Sequence, residues 1–151
     1  MPEAISGLPI HGIVWRAGLP DVDGVVITPE ALHEAYIDLK TRVGRQVGGV
    51  PVSFNFDDRK RVGQVIEVQW DGENLIARDI IDMKEIIGPD LWEQCSLRPG
   101  FVVEEEEVQK RNDGIRVFKK ISALHISLTT NPMPLPTTEE EERNDRAHTP
   151  H

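Results

Sequence analysis

Residues 50–63 read VPVSFNFDDRKRVG, and this segment gives the strongest indication of the fold. An apolar stretch from Val50 favours a buried strand, and the run of aspartates that follows favours a turn. We therefore predict a turn over Asp57 to Arg61 and a second strand that opens at Val62-Gly63. Phe56 closes the apolar stretch, so we expect its side chain to be buried.

A β-hairpin is predicted directly after this segment. Gln64 to Trp70 alternates polar and apolar residues, as in a half-buried strand. Asp71-Gly72 supplies the turn residues, and Leu75 to Ile81 is predicted to return beside the first strand.

One helix has clear start signals. Thr28 can cap it, Pro29 suits the first helical position, and an apolar stripe continues to Val43. A second, shorter helix is predicted over Met83 to Trp92.

Strands fill most of the remaining chain. They are predicted over Gly12 to Trp15, Val25 to Ile27, Phe101 to Val108, Ile115 to Ile121 and Leu124 to Leu128. The fold class is therefore a β-rich α+β protein, a small, mostly antiparallel β-barrel with two or three helices packed outside. We divide the chain into an irregular N-terminal arm (1–10), a barrel domain (11–134) and an acidic, extended C-terminal tail (135–151).

Four segments, in their order along the chain, resemble the prohead maturation proteases of tailed phages. They are residues 12–36, 50–63, 95–103 (CSLRPGFVV) and 121–132 (ISALHISLTTNP). These proteases share the herpesvirus-assemblin type of serine protease fold, and the resemblance covers residues 10 to 134. It implies a prohead-protease-like barrel.

The resemblance also implies where catalytic residues would stand. Phe56 occupies the place of the catalytic histidine, Arg98 that of the nucleophilic serine, and His125 a position that is often acidic. Phenylalanine cannot accept or relay a proton, so the general base is missing there. We expect no catalytic residues.

The resemblance favours a non-catalytic phage capsid protein, either a decoration protein or a minor capsid protein that stabilises the head. If a small insertion is allowed, Ser96 takes the nucleophile's place. The alternative is then an active prohead maturation serine protease that uses Ser96 with His125 as base. A third possibility is an assembly scaffold factor that leaves before maturation.

Composition argues against several other functions. The chain has 151 residues and a net charge of -9, which disfavours a nucleic-acid surface and an anionic membrane surface. No apolar run approaches the ~20 residues of a membrane span. The histidines form no compact ligand pair, and no glycine-rich phosphate loop is present. We therefore expect no metal and no cofactor.

Much of the negative charge lies in two runs, residues 104–107 and the tail residues Glu139, Glu140, Glu141 and Glu142. Acidic runs are usually solvated, but one can also dock on a basic partner surface. We expect the tail run to bind such partners, the major capsid protein and neighbouring capsid subunits, with homo-oligomers possible. The expected location is the virion capsid, after synthesis in the host cytoplasm.

Overall fold

The computed structural model describes residues 8–45, 50–82 and 94–137. These ranges contain nine β-strands, one α-helix and a 3-10 turn at Glu105–Glu107. The helix, α1, spans Pro29–Arg45. The strands are β1 (Leu8–Arg16), β2 (Val25–Ile27), β3 (Val50–Phe54), β4 (Asp57–Trp70), β5 (Asn74–Ile81), β6 (Ser96–Val102), β7 (Val108–Lys110), β8 (Arg116–Phe118) and β9 (Ser122–Thr129).

Six strands form one sheet in the order β1-β5-β4-β3-β9-β6, and three form a small sheet in the order β2-β8-β7. The pairs β3–β9 and β2–β8 are parallel, and the other pairs are antiparallel. The large sheet curls so that its edge strands β1 and β6 come into contact. The prediction of a β-rich, mostly antiparallel fold is confirmed. The large sheet is a curled half-barrel, whereas a barrel was predicted.

Helix α1 packs against β4, β9 and β5 of this curled sheet. Its apolar stripe supplies Leu32 and Leu39, both with no exposed surface. The predicted cap is confirmed, because the Ala31 N–H donates to Thr28 Oγ1 at 3.0 Å. The helix ends at Arg45, two residues beyond the predicted Val43.

Several predicted boundaries differ from the structure. The described residues contain one α-helix instead of two or three, and the helix predicted over Met83 to Trp92 lies outside them. The strand predicted over Phe101 to Val108 is divided between β6 and β7 by the 3-10 turn. No helix in the described ranges is long and apolar enough to cross a membrane.

The two ends of the predicted barrel domain also shift. Strand β1 begins at Leu8, inside the arm predicted over 1–10. At the other end, Leu135 packs against the core and Pro136 is buried. The Pro136 carbonyl oxygen accepts a hydrogen bond from Arg16 Nη1 at 3.2 Å. The folded part of the chain therefore includes residues 8–10 and 135–137.

Candidate functional site

A two-residue turn joins β3 to β4. Phe54 pairs with Asp57, and the two residues between them, Asn55 and Phe56, have φ values of 50° and 60°. Positive φ at both central residues is the mark of a type I′ hairpin turn. The prediction of a turn over Asp57 to Arg61 is therefore wrong, because these residues belong to β4.

Strand β9 holds this turn from the side. The Asn55 N–H donates to the Leu128 carbonyl oxygen at 2.9 Å. The Asn55 side-chain oxygen accepts a hydrogen bond from the Thr130 N–H at 3.0 Å. An asparagine tolerates the left-handed conformation, so Asn55 serves both the turn and its attachment.

Ser127 attaches the second turn residue. Its side-chain hydroxyl accepts a hydrogen bond from the Phe56 N–H at 2.8 Å and donates to the Ser53 carbonyl oxygen at 3.2 Å. Ser127 is fully buried, and the sequence analysis did not select it as a site residue. Leu124, Ile126 and Leu128 alternate with it, and that pattern places Ser127 on the other face of β9.

The expectation that Phe56 is buried is wrong, because 49% of its surface is exposed. The residue lies at the tip of the turn instead of inside the strand. Its ring meets the His125 ring edge-on, with ring centroids 6.3 Å apart and planes at 82°. The sites implied for the base and for the third catalytic residue are therefore in contact.

His125 lies on β9 opposite Gly100 of β6. A Cβ atom at Gly100 would stand only 2.1 Å from His125 Nε2, so the imidazole occupies the space above this glycine. His125 Nδ1 lies 3.3 Å from the Ala123 carbonyl oxygen. A larger residue at position 100 would therefore force the His125 ring to move.

Arg98 lies on β6 opposite Ser127, and only 9% of its surface is exposed. Its Nε donates to the Met133 carbonyl oxygen at 2.6 Å, and Nη1 donates to the Leu97 carbonyl oxygen at 2.7 Å. Burial lowers the pKa of its guanidinium. Arg98 therefore ties the segment after β9 to the edge of the sheet.

Ser96 and His125 do not come together. Ser96 pairs with Thr129, four residues further along β9 than His125. At ~3.3 Å per residue, this separates Ser96 from His125 by roughly 13 Å along the strand. A nucleophile and its base need a hydrogen bond of about 3 Å.

Two cavities lie next to Phe56. A 460 Å³ groove beside β3 is lined by Phe56, His125, Asp58 and Arg61 among others. A 380 Å³ cavity is lined by Phe56 and Arg98 and by mostly apolar neighbours. Phe56 thus lines both the His125 groove and the Arg98 cavity.

The hydroxyl donors of the described residues bond to main-chain or amide oxygens. Throughout the described ranges, no serine or threonine hydroxyl donates a hydrogen bond to a histidine or a carboxylate. The Ser127 hydroxyl is buried and donates to a main-chain carbonyl. The predicted partner-binding residues Glu139 to Glu142 lie outside the described residues.

Comparison with known proteins finds similarity at the level of the fold. No protein-family model and no curated protein matches this sequence. Among solved structures, the chain is similar to the capsid assembly protease of bacteriophage T4, gp21, with a TM-score of 0.64 and 16% sequence identity. The match covers 83% of this chain and 84% of that chain. The chain therefore has a fold similar to that of a phage capsid assembly protease.

Proposed function

We propose that this chain is a non-catalytic, capsid-associated structural protein of a tailed phage. It would act as a decoration or minor capsid protein that stabilises the head. The likeness to a capsid assembly protease supports the link to phage heads. Its partners would be the major capsid protein and neighbouring capsid subunits, and its place would be the virion.

One observation carries the non-catalytic part of this proposal. The three positions that the sequence resemblance assigns to catalytic residues hold Phe56, Arg98 and His125; Phe56 contacts His125 and lines one cavity together with Arg98. A phenyl ring cannot act as a general base, and a guanidinium that stays protonated cannot act as a nucleophile. A site whose implied base and nucleophile positions hold a phenylalanine and an arginine is what we expect of a protein that retained the fold and lost the reaction.

In the alternative protease hypothesis Ser96 and His125 act together, but the register of β6 on β9 keeps them apart. For Ser96 to stand opposite His125, β6 would have to slide four residues along β9. That shift would remove Leu97 from its place opposite Leu128, and both of these leucines are buried. Register is strongly specified where one face of a sheet is buried, so this slide is unfavourable.

Mass spectrometry of purified virions tests the structural role. We expect the protein at a copy number close to that of a capsid component. Its absence from mature virions would contradict the proposal and favour a protease or an assembly scaffold factor.

Incubation with proheads tests the absence of catalysis. We expect no cleavage of the major capsid protein and no labelling by serine-directed reagents. Labelling at Ser96 together with cleavage would establish the alternative, and Ser96→Ala is the matched control for that outcome.

A further inference from the structure

The large sheet has a side that faces away from α1. Leu75 of β5 is fully buried, and its partner on β4, Trp70, contacts the Tyr36 ring of α1, with ring centroids 6.3 Å apart. Side chains alternate along a strand, so Ile76 and Arg78 lie on the opposite side of β5. This opposite side, the outer face, contains the following paired residues: His11 and Ile13 of β1, Ile76 and Arg78 of β5, and Glu67 and Gln69 of β4.

Charged groups cross the middle of the outer face. Arg78 lies directly opposite His11 of β1 and Glu67 of β4, and all three residues are exposed. Within the described ranges the Arg78 side chain makes no ion pair and no hydrogen bond. Glu67 instead accepts a hydrogen bond from Gln69 Nε2 at 2.6 Å. A guanidinium and a carboxylate therefore stand side by side, and both are open to a partner.

Apolar groups flank these charges. Ile13 pairs with Ile76, and 37% of the Ile13 surface is exposed. Pro9, also on β1, is exposed as well. A 560 Å³ groove lies between these groups and is lined by Pro9, Ile76, Arg78 and Glu67 among others. The solvated face of an antiparallel sheet usually carries polar side chains, so exposed apolar residues and a groove on this face favour coverage by a second layer.

We propose that the outer face is the surface on which two copies of this chain associate. A two-fold axis that runs along the strands, between β4 and β5, would place Arg78 of each copy over Glu67 of the other. Both charges would then be paired through charge-assisted hydrogen bonds, and the exposed apolar side chains would fill the facing grooves. An interface of this kind uses the same patch on both copies, as two-fold symmetry requires.

Charge complementarity favours a second copy over another partner. A partner surface of one charge would attract either Arg78 or Glu67 and repel the other, whereas a second copy presents both charges in the matching order. Each chain has a net charge of -9, so two copies repel each other at long range. Local pairing of opposite charges at the outer face offsets that repulsion in one orientation only.

Sedimentation equilibrium of the full chain tests this association. We expect the wild type to change from monomer to dimer as its concentration is raised. Glu67→Arg would give each copy two cations at this place, and Arg78→Glu would give each copy two anions. Each reversal should weaken self-association at least about tenfold, because like charges would face each other.

Mixing the two reversed variants gives the sharpest result. An equimolar mixture places two cations of one copy over two anions of the other, so we expect heterodimers although each variant alone associates weakly. A chain that carries both reversals should dimerise like the wild type, since the order of the charges is only exchanged. Pairing within one chain cannot produce the heterodimer, so the mixture separates contact between copies from contact within a copy.

Two reversals on α1 are the matched controls. Lys40→Glu and Glu34→Arg make the same changes in net charge at exposed positions of the helix, away from the outer face. They should leave self-association nearly unchanged. Ile13→Ser tests the apolar part of the surface and should weaken the dimer roughly threefold to tenfold.

A wild type that stays monomeric at every concentration up to its solubility limit would overturn the proposal. So would reversals that weaken the dimer no more than the α1 controls do, or a mixture without heterodimers. If a reversed variant does not fold, Glu67→Gln and Arg78→Gln take its place, and a dimer that both leave unchanged would count equally against the proposal. Virion copy number is measured separately, so failure of the dimer is distinguishable from failure of the capsid role.

Discussion

At Phe56 and Asp79, the local structure works against the stability of the fold. Phe56 adopts a left-handed backbone conformation that is unfavourable for a bulky residue. Asp79 is fully buried, and neither of its carboxyl oxygens has a partner within the described ranges. Strain and unsatisfied polar groups often occur at functional places, and Phe56 lies in the candidate site.

Replacing Phe56 separates backbone strain from side-chain packing. Phe56→Gly creates Asn-Gly, the favoured pair for a type I′ turn, while Phe56→Ala removes the ring and keeps a Cβ atom. We expect the glycine variant to be more stable than the alanine variant by about 1 kcal/mol in urea unfolding. An alanine variant as stable as the glycine variant would show that residue 56 is not left-handed.

The half-exposed ring changes the expected cost of Phe56→Ala. Truncating a buried phenylalanine costs roughly 3–5 kcal/mol. Here the ring contributes its contact with His125 and a partly exposed surface, so we expect a loss below ~2 kcal/mol.

Asp79 should make stability depend on pH. Burial raises the pKa of its carboxyl group from the usual 3.8 to about 8. The folded protein therefore keeps a proton that the unfolded chain releases between these values. The contribution of Asp79 to stability is present below about pH 4 and is lost as the pH rises through about 8, at up to ~1.4 kcal/mol per pH unit.

Asp79→Asn tests this prediction because asparagine does not ionise. We expect the variant to be more stable than the wild type at pH 9 and to lose the downward slope between pH 5 and 8. Urea unfolding at several pH values measures both effects. Asp58→Asn, at an exposed position, is the control, and an identical slope in wild type and Asp79→Asn would refute the account.

At the scale of elements, the site depends on how closely β6 and β9 approach. The His125 ring fills the space in which a Gly100 Cβ would stand. Gly63 has a similar role in β4, because a Cβ there would lie 2.2 Å from the Ile80 carbonyl oxygen of β5. These two glycines allow β4 and β6 to fit closely against their neighbours.

A double-mutant cycle tests the contact between β6 and β9. Gly100→Ala should destabilise the protein by roughly 1–3 kcal/mol, because the methyl group collides with the imidazole. Adding His125→Ala should recover most of that loss, since the obstructing ring is gone. Additive effects of the two substitutions in urea unfolding would show that the residues do not touch.

At the scale of the whole molecule, the sheet, the helix and the segment after β9 form one folded unit. Arg98 donates to the Met133 carbonyl oxygen, and Arg16 donates to that of Pro136. A deletion that begins at Asn131 would therefore remove part of the domain. Removing residues 138–151 alone tests the acidic tail and leaves these two contacts in place.

We expect this deletion to lower occupancy on expanded phage heads. The acidic residues Glu139 to Glu142 would meet basic groups on the shell, and 14 residues span at most ~50 Å when extended. The difference from the wild type should shrink as salt is added, because salt screens the attraction. Replacing the four glutamates by glutamine is the matched control. Unchanged occupancy at both low and moderate salt would show that the tail takes no part in binding to the head.

The sequence by itself determined the local elements. The helical spacing of apolar residues and the cap at Thr28 predicted α1. The alternation of polar and apolar residues, followed by the turn residues Asp71-Gly72, predicted the β4–β5 hairpin. These features depend on neighbours within a few residues, so sequence patterns report them. The resemblance in four segments also predicted the protease-like fold.

The tertiary structure alone decided what depends on contacts between distant segments. Phe56 looked buried because it ends an apolar stretch, but β9 holds Asn55 and Phe56 in a tight turn and leaves the ring half exposed. The distance between Ser96 and His125 follows from the β6–β9 register, which no local pattern encodes. The contact between β1 and β6, with Arg98 and Trp15 lining one cavity, likewise exists only once the sheet has curled.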